Sequence, residues 1–232
     1  MARLARLVVP HHAHYLLQQG HDQTLIFREA ADYVAFLDWL RDAARQFKVA
    51  IHAYVLMPTQ LQLLATPSDA DGLSRMMQWV GRHYVPYFNH KYQRSGTLWQ
   101  GRFKATVVDA DHYLLMCCHC IELSPVRENL VAHPDDYLWS SYPHHAGTKS
   151  DPLISDHVLY WALGNTPFQR EAAYKMQIEH GVPEKDVQAL MEATTKGWAF
   201  GSESFKAGLE KLTRRRVQQV KRGRPPRQHE KS

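Results

Sequence analysis

The feature that most constrains the fold is a pair of apolar, strand-like runs separated by only two residues. Residues 49–57 (VAIHAYVLM) are apolar and rich in β-branched side chains, and residues 60–66 (QLQLLAT) form a second run after the breakers Pro58 and Thr59. Two such runs with a short break between them predict a β-hairpin. The hairpin supplies two neighbouring antiparallel strands, around which the rest of the chain is expected to assemble.

The segments on either side of the hairpin extend this pattern. Residues 29–47 and 72–93 carry apolar side chains at helical spacing, and strands are expected within 3–19 and 102–109. A further helix is expected over 111–123. The order β-α-β-β-α-β followed by a helix predicts an α+β, ferredoxin-like domain, with an antiparallel sheet covered on one face by helices.

Composition changes near residue 150, where Pro, Gly, Ser and His become dense. This change predicts a domain spanning residues 1–150 and a helical C-terminal domain over 151–220. Helices in the second domain are expected at 155–163, 167–180, 183–195 and 202–220. The last segment, residues 221–232 (KRGRPPRQHEKS), is polar and basic and is expected to be a disordered tail.

The net charge of +5 is distributed unevenly. Residues 206–232 hold ten Lys and Arg against two Glu, whereas residues 1–205 hold eighteen Lys and Arg against twenty-one Asp and Glu. A basic C-terminal segment of this kind predicts an anionic polymer as partner, most often nucleic acid.

Cysteine usage and hydropathy exclude two other classes of protein. The three cysteines fall within four positions, 117–120, which argues against the disulfide framework of a small secreted domain. No apolar run approaches the roughly 20 residues of a membrane span, and LVV near the N-terminus is too short for a signal peptide. We therefore expect a cytoplasmic protein that does not interact with membranes.

Several segments, in order, resemble one family. HAYVLMP precedes the hairpin, YFNHKYQRSGTLWQGRFKATVVD follows it, and SPVRENLV and HPDDYLWSSY come later. With these motifs the chain resembles the REP-associated tyrosine transposases, which are single-tyrosine transposases of the HUH (His-hydrophobic-His) class. The resemblance implies that a strand His-x-His pair holds Mg²⁺ or Mn²⁺, and that a helix tyrosine attacks a phosphate of single-stranded DNA.

This sequence departs from the family at each of those positions. Gln60 and Gln62 stand where the two metal-binding histidines belong, Cys120 stands at the nucleophilic tyrosine, and Ser124 stands at the expected asparagine ligand. Two neutral amides and a hydroxyl hold a hard cation more weakly than imidazoles do. We therefore expect no metal cofactor and no intact catalytic residue. A DNA-binding protein derived from a transposase for DNA transposition is the favoured interpretation.

Two alternatives stay open at this point. The first is an active but divergent metal-dependent DNA transposase or nickase, in which a residue such as Tyr113 replaces the lost nucleophile. The second is a thiol sensor or RNA-binding protein on the same scaffold. Cys117 and Cys120 have the C-x₂-C spacing of a zinc ligand pair, but no second pair exists, so packing is favoured.

The expected DNA contacts lie in two groups. Arg94, Arg102 and Lys104 flank Trp99 and Phe103, two aromatic residues that either pack in the core or stack on unpaired bases. The C-terminal group comprises Arg214, Arg215, Arg216, Arg222 and Arg224.

The sequence RGRPPR in the tail resembles an AT-hook core, which enters the minor groove of A·T-rich DNA. The expected partner is thus DNA as a hairpin, a single strand or an A·T-rich duplex, in a protein associated with the bacterial nucleoid. The sequence leaves the oligomeric state open.

Overall fold

The computed structural model describes residues 6–219. Its first part contains β1 (His14–Gln19), α1 (Ala30–Gln46), β2 (Val49–Met57), β3 (Gln60–Pro67), α2 (Gly72–Lys91), β4 (Lys104–Val107) and α3 (Ala110–Glu122). Its second part contains α4 (Ser124–Arg127), α5 (Tyr142–His145), α6 (Val158–Trp161), α7 (Pro167–His180), α8 (Glu184–Lys196) and α9 (Glu203–Thr213). The predicted order of elements is confirmed, although β1 begins at His14 rather than near residue 3.

The four strands form one sheet in the order β2-β3-β1-β4, and every neighbouring pair is antiparallel. This is the ferredoxin-like arrangement that the sequence predicts. The β2–β3 hairpin closes at Met57 and Gln60, and the register sets Gln62 of β3 between Leu17 of β1 and Val55 of β2. The α+β fold class is therefore confirmed.

Both faces of the sheet are covered. Helices α1 and α2 lie on the first face, where Phe36, Leu40 and Tyr84 pack against strand residues such as Leu63. This is the helical layer expected of a ferredoxin-like unit. Helix α3 and helices of the C-terminal region form a second layer on the opposite face, so the sheet lies between two layers of helix.

A buried carboxylate ties the two helices of the first layer together. Asp32 accepts hydrogen bonds from the backbone N–H of Arg28 (2.9 Å) and from the Tyr92 hydroxyl (2.7 Å), and Lys91 Nζ lies 2.6 Å away. The Glu29 N–H also donates to Asp32 (3.3 Å) in a capping box at the N-terminus of α1, whereas Lys91 and Tyr92 lie at the end of α2. Burial opposes ionisation of Asp32, but these donors hold its pKa below the ordinary value.

A second buried carboxylate fixes the C-terminal region on α3. Glu122, at the end of α3, is fully buried and accepts hydrogen bonds from His145 Nδ1 (2.6 Å), the Tyr174 hydroxyl (2.6 Å) and the Ser141 hydroxyl. Burial alone would raise the pKa of Glu122, but His145 and the other donors hold it below the ordinary value. The proposed boundary near residue 150 stays a prediction; the residues beyond it pack directly on α3.

The C-terminal helix is shorter than the expected 202–220. Helix α9 begins with Ser202 as its N-cap, as predicted, and ends at Thr213. Arg214 adopts a left-handed backbone conformation (φ 50°), and the Val217 carbonyl accepts a hydrogen bond from the Ala199 N–H. This long-range pairing buries Val217 and overrides the local helical preference. Residues 221–232, with Arg222 and Arg224, lie outside the described residues.

The outer strands both make hydrogen bonds to later parts of the chain. Phe200 exchanges backbone hydrogen bonds with Val107 and Asp109 beside β4. On the other side, the Leu56 N–H of β2 donates to Trp139, and the Tyr54 carbonyl accepts from Ser141. Within residues 6–219, no helix is both long enough and apolar enough to cross a membrane.

Candidate functional site

The two glutamines at the histidine positions lie on the α3 side of the sheet. Side chains alternate along a strand, so Gln60 and Gln62 share one face while Leu61 and Leu63 enter the core under α1 and α2. Gln62 is only 3% exposed. The helix that carries Cys120 lies over the same face, so the structure brings together three of the four degenerate positions, Gln62, Cys120 and Ser124.

Hydrogen bonds close this group internally. The amide oxygen of Gln62 lies 2.8 Å from the Tyr15 hydroxyl, which donates to it, and 3.1 Å from Ser124 Oγ. Ser124 Oγ also lies 2.8 Å from the Cys120 carbonyl, so its single proton is shared between two acceptors. Arg127 Nη2 donates to Ser124 Oγ (2.7 Å) and to the Cys120 carbonyl. We call Tyr15, Gln62, Cys120, Ser124 and Arg127 the closed cluster.

The closed cluster does not fit Mg²⁺ or Mn²⁺. The Gln62 oxygen is committed to two hydroxyl groups, and the guanidinium of Arg127 places a positive charge 2.7 Å from Ser124 Oγ, where a ligand atom would be needed. Gln60 lies at the rim, where its amide donates to Glu128 (2.6 Å). Among residues 6–219, no group of three His, Cys, Asp or Glu side chains could hold a metal ion.

Cys120 lacks the properties of a nucleophile or redox sensor. It is 2% exposed, and its Sγ lies 3.4 Å from Met116 Sδ. Burial raises the pKa of Cys120 to about 11, with Arg127 opposing and Asp186 assisting the shift. Burial also raises the pKa of Cys117 and Cys118 well above the ordinary value. These thiols stay protonated near neutral pH, whereas reactive cysteines are thiolates in accessible, electropositive sites.

Helix α8 covers the closed cluster. Met191 of α8 brings its Sδ to 3.5 Å from the Tyr15 hydroxyl, and Tyr15 is 1% exposed. Tyr113, the other tyrosine considered as a nucleophile, packs its ring against Phe200 at 4.8 Å between centroids. A DNA phosphate cannot reach Gln62 or Cys120 while α8 is in this position.

The predicted DNA contacts lie elsewhere, at the outer edge of β4. Arg102 is exposed, Lys104 is partly exposed, and both line a cleft of about 240 Å³ between β4, the end of α8 and the segment around residue 215. Arg215 lines the same cleft, together with Lys196 and Arg6. We call this the β4-edge cleft. Its five cationic residues come from four separate parts of the chain.

The other predicted contacts are dispersed. Arg94 is half-buried, with its guanidinium 5.7 Å from the centroid of the Phe88 ring, and does not line this cleft. Arg214 and Arg216 line a different concavity, together with the acidic residues Glu203 and Glu210, and Arg215 borders both concavities.

The two aromatic residues of this region differ in their surroundings. Phe103 is buried, and the Arg6 guanidinium lies 3.6 Å from the centroid of its ring, so this ring face is not open to a base. Trp99 packs parallel to Tyr84 with ring centroids 6.0 Å apart, and it lines a larger groove of about 850 Å³ beside α2. Core packing therefore accounts for Phe103, whereas Trp99 also borders a groove.

Sequence reasoning missed four residues of these two regions. Four residues carry no motif of their own: Tyr15 of the closed cluster, Met191 of the helix that covers it, and Arg6 and Lys196 of the β4-edge cleft. The basic character of the first residues was the only available signal for Arg6, and nothing local connects Lys196 to β4.

Comparison with known proteins supports the fold. No family model matches the chain, and no curated protein matches it. Among solved structures, that of a REP-associated tyrosine transposase bound to a REP hairpin matches at 16% identity and a TM-score of 0.53, covering 68% of this chain and 92% of that one. A putative transposase from Deinococcus radiodurans matches at 22% identity and a TM-score of 0.34, covering 50% of this chain and 90% of that one. Over about two thirds of its length, the chain thus shares the fold of a REP-associated tyrosine transposase.

Proposed function

We propose that this protein binds DNA on a transposase-derived scaffold and does not cleave it by the metal-and-tyrosine route. One observation carries the second half of the proposal. The Gln62 amide oxygen, at a position that the family uses for a metal ligand, is buried and bonded to Tyr15 and Ser124. A cation or a scissile phosphate at that point would have to displace these bonds, Arg127 and α8.

The binding half of the proposal is supported by the β4-edge cleft. Arg102, Lys104 and Arg215 converge there from distant parts of the sequence, and phosphate contacts of this type supply most of the affinity of a protein for DNA. The structurally similar transposase is one bound to a REP hairpin. By analogy of fold, we propose a DNA hairpin with unpaired flanks as the partner of this chain.

The C-terminal tail adds a second source of affinity. Residues 206–232 hold ten Lys and Arg against two Glu, and the sequence RGRPPR suits the minor groove of A·T-rich duplex. The proposal therefore has two parts that differ in substrate. The β4-edge cleft binds the hairpin, and the tail binds duplex DNA.

Fluorescence anisotropy tests the binding. Labelled hairpin, single-stranded, A·T-rich and G·C-rich duplex DNA are titrated with the full chain over a range of salt. Arg102→Ala should weaken the hairpin complex more than the duplex complexes. Arg222→Ala with Arg224→Ala should abolish the preference for A·T-rich duplex. Arg45→Ala is the matched control, because Arg45 is an exposed arginine that lines a concavity beside β2. An RNA hairpin that binds more tightly than the DNA hairpin would favour the RNA-binding alternative.

A covalent-adduct assay tests the loss of cleavage. Hairpin DNA with a labelled single-stranded flank is incubated with the protein and Mn²⁺, then denatured in detergent and separated by electrophoresis. We expect neither a labelled protein band nor a shortened DNA strand. A detergent-stable adduct that requires Mn²⁺ and disappears in Cys120→Ala or Tyr113→Phe would instead establish a divergent nickase.

A further inference from the structure

Most of the charges that line the β4-edge cleft have no carboxylate partner among the described residues. Of the described residues, five cations and no carboxylate line the cleft. Lys196 forms an ion pair with Glu192, but Arg102, Lys104 and Arg215 form no ion pair within the described residues. Several like charges converging on a small concavity repel one another, and a bound anion relieves that repulsion.

Arg215 has an additional unused capacity. It is half-buried, and its Nε–H is buried without a hydrogen-bond acceptor in the described part of the chain. A buried donor without an acceptor costs free energy, and a charge-assisted bond to phosphate is among the stronger bonds a guanidinium makes. Two residues after Arg215, the Val217 carbonyl accepts a hydrogen bond from the Ala199 N–H, which holds the backbone of this segment against residues 197–200.

The cleft continues into the larger groove beside α2. The β4-edge cleft and this groove share Arg6, Arg102 and Phe103 in their walls. The groove adds Arg82, which is exposed and forms no ion pair within the described residues, the ring of Trp99, and one carboxylate, Asp71. A path with cations along its length and an aromatic wall suits a polymer with phosphates and bases better than a free anion.

We infer that the β4-edge cleft holds a backbone phosphate of DNA through Arg102, Lys104 and Arg215, and that the same strand continues past Trp99 along the α2 groove. This inference rests on the proposed function, and it goes further by naming one arginine of the run at 214–216 as part of a built site. If the C-terminal segment acted only through its total charge, the three arginines at 214–216 would contribute equally to DNA affinity.

The run of three arginines supplies its own controls. Arg214→Ala, Arg215→Ala and Arg216→Ala remove the same charge from neighbouring positions, but only Arg215 lines the β4-edge cleft. With a DNA hairpin carrying single-stranded flanks, Arg215→Ala should weaken binding roughly tenfold or more, as expected for loss of a charge-assisted bond. Arg214→Ala and Arg216→Ala should each change affinity by less than about threefold, the scale of a solvent-exposed charge.

Coupling between variants tests whether these residues share one phosphate. Because Lys104 and Arg215 would contact the same group, the effect of Lys104→Ala with Arg215→Ala should be smaller than the product of the single effects. Arg215→Lys should restore part of the affinity. Arg82→Ala should weaken the hairpin complex by a smaller factor. Because Arg82 lines the groove and not the cleft, the fold loss in affinity of Arg82→Ala with Arg215→Ala should equal the product of the single losses. Thermal unfolding of each variant separates lost binding from lost folding.

The outcomes are distinct. Equal effects of the three alanine variants would overturn the inference and leave DNA binding by charge alone intact. If the unmodified chain does not bind DNA, both the proposed DNA-binding function and the phosphate site in the β4-edge cleft are wrong. Inorganic pyrophosphate serves as a second probe in thermal-shift titrations. If it stabilises the protein as well as the hairpin does, and Arg215→Ala abolishes this, the site takes free phosphates and the strand path is wrong.

Discussion

The closed cluster and the β4-edge cleft use similar polar side chains in opposite ways. In the closed cluster, the Gln62 amide oxygen and the Ser124 hydroxyl are buried and hydrogen-bonded to each other, to Tyr15 and to Arg127. In the cleft, Arg102 is exposed and has no carboxylate partner in the described part of the chain. The first region satisfies its polar groups within the protein, and the second leaves them for a ligand.

This contrast separates two kinds of consequence. Buried polar groups that are satisfied internally contribute to stability, and removing one partner leaves the others uncompensated. Surface cations without partners contribute little to stability and much to attraction of an anionic polymer. Substitutions near the closed cluster should therefore reduce stability, whereas substitutions at the β4 edge and in the tail should reduce DNA binding. The following predictions test this division.

The largest effect on stability is expected at Glu122, which lies on α3 between Cys120 and Ser124 of the closed cluster. Glu122→Ala removes the acceptor shared by Ser141, His145 and Tyr174 in a fully buried position. Breaking a buried, charged network in this way should lower the free energy of unfolding by about 3–5 kcal/mol. Urea titration followed by circular dichroism measures it, with exposed Glu192→Ala as the control. A loss below about 1 kcal/mol, the scale of a surface pair, would show that the network does not hold the C-terminal region.

Truncation after Gln219 should give the second largest effect, on binding alone. It removes five basic residues and one acidic residue but keeps Val217, whose carbonyl accepts a hydrogen bond from the Ala199 N–H. The salt dependence of duplex binding should fall by about three units of slope, with a loss of roughly 100-fold in affinity at low salt. The unfolding free energy should not change. A full-length chain with the five basic residues replaced by Gln is the control. If that chain keeps the original slope, the charge argument fails.

The pH dependence of stability tests His119, which lies next to Cys120 on α3. Burial lowers the pKa of His119 to about 4, with Glu122 opposing the shift. The unfolded chain binds this proton first, so the stability from a neutral His119 is lost as pH falls from about 6.5 towards 4. The free energy of unfolding should fall between about pH 7.5 and pH 5 in the unmodified chain. In His119→Leu this fall should be smaller by about 2 kcal/mol. His133→Leu, at an exposed histidine, is the matched control. A similar change of the pH dependence in both variants would contradict the assignment.

The smallest effect on binding is expected at Gln62. Gln62→Ala leaves the Tyr15 hydroxyl without its acceptor and should cost about 1–3 kcal/mol of stability. Hairpin affinity should stay within about twofold, because Gln62 is buried and does not line the β4-edge cleft. Calorimetry should detect no Mn²⁺ binding by either protein. Micromolar Mn²⁺ binding that the substitution abolishes would mean that the closed cluster opens to a metal.

The sequence predicted the sheet and most helices, because hydrophobic periodicity reports directly on which side of an element is buried. The flanking motifs also singled out Gln62 and Cys120, which the structure places in one cluster; their correspondence to the family's catalytic positions stays a prediction. The sequence did not predict the bond from Tyr15 to Gln62, which depends on strand register, or the cover that Met191 provides. The helix expected up to residue 220 ends at Thr213, because Val217 gains a tertiary pairing that local propensity does not contain.

Sequence reasoning identified individual residues of the β4-edge cleft but did not predict that they lie together. Arg102 and Lys104 were singled out for their position beside aromatic residues, and Arg215 for its place in a basic run. Nothing in either pattern indicates that Lys104 and Arg215 face one cleft. Arg94 was expected in the same group but lies apart from it. Proximity between residues more than 100 positions apart follows from topology, which local patterns do not encode.

The hydrogen bonds along both outer strands have a consequence for self-association. An uncovered strand edge is a template on which another copy of a protein can add a strand, by domain swapping or in aggregates. Here Phe200 occupies part of the β4 edge, and Trp139 and Ser141 occupy part of the β2 edge. A second copy would have to displace these segments before it could continue the sheet. Where these segments lie, any contact between two copies would therefore form through side chains and not by extension of the sheet.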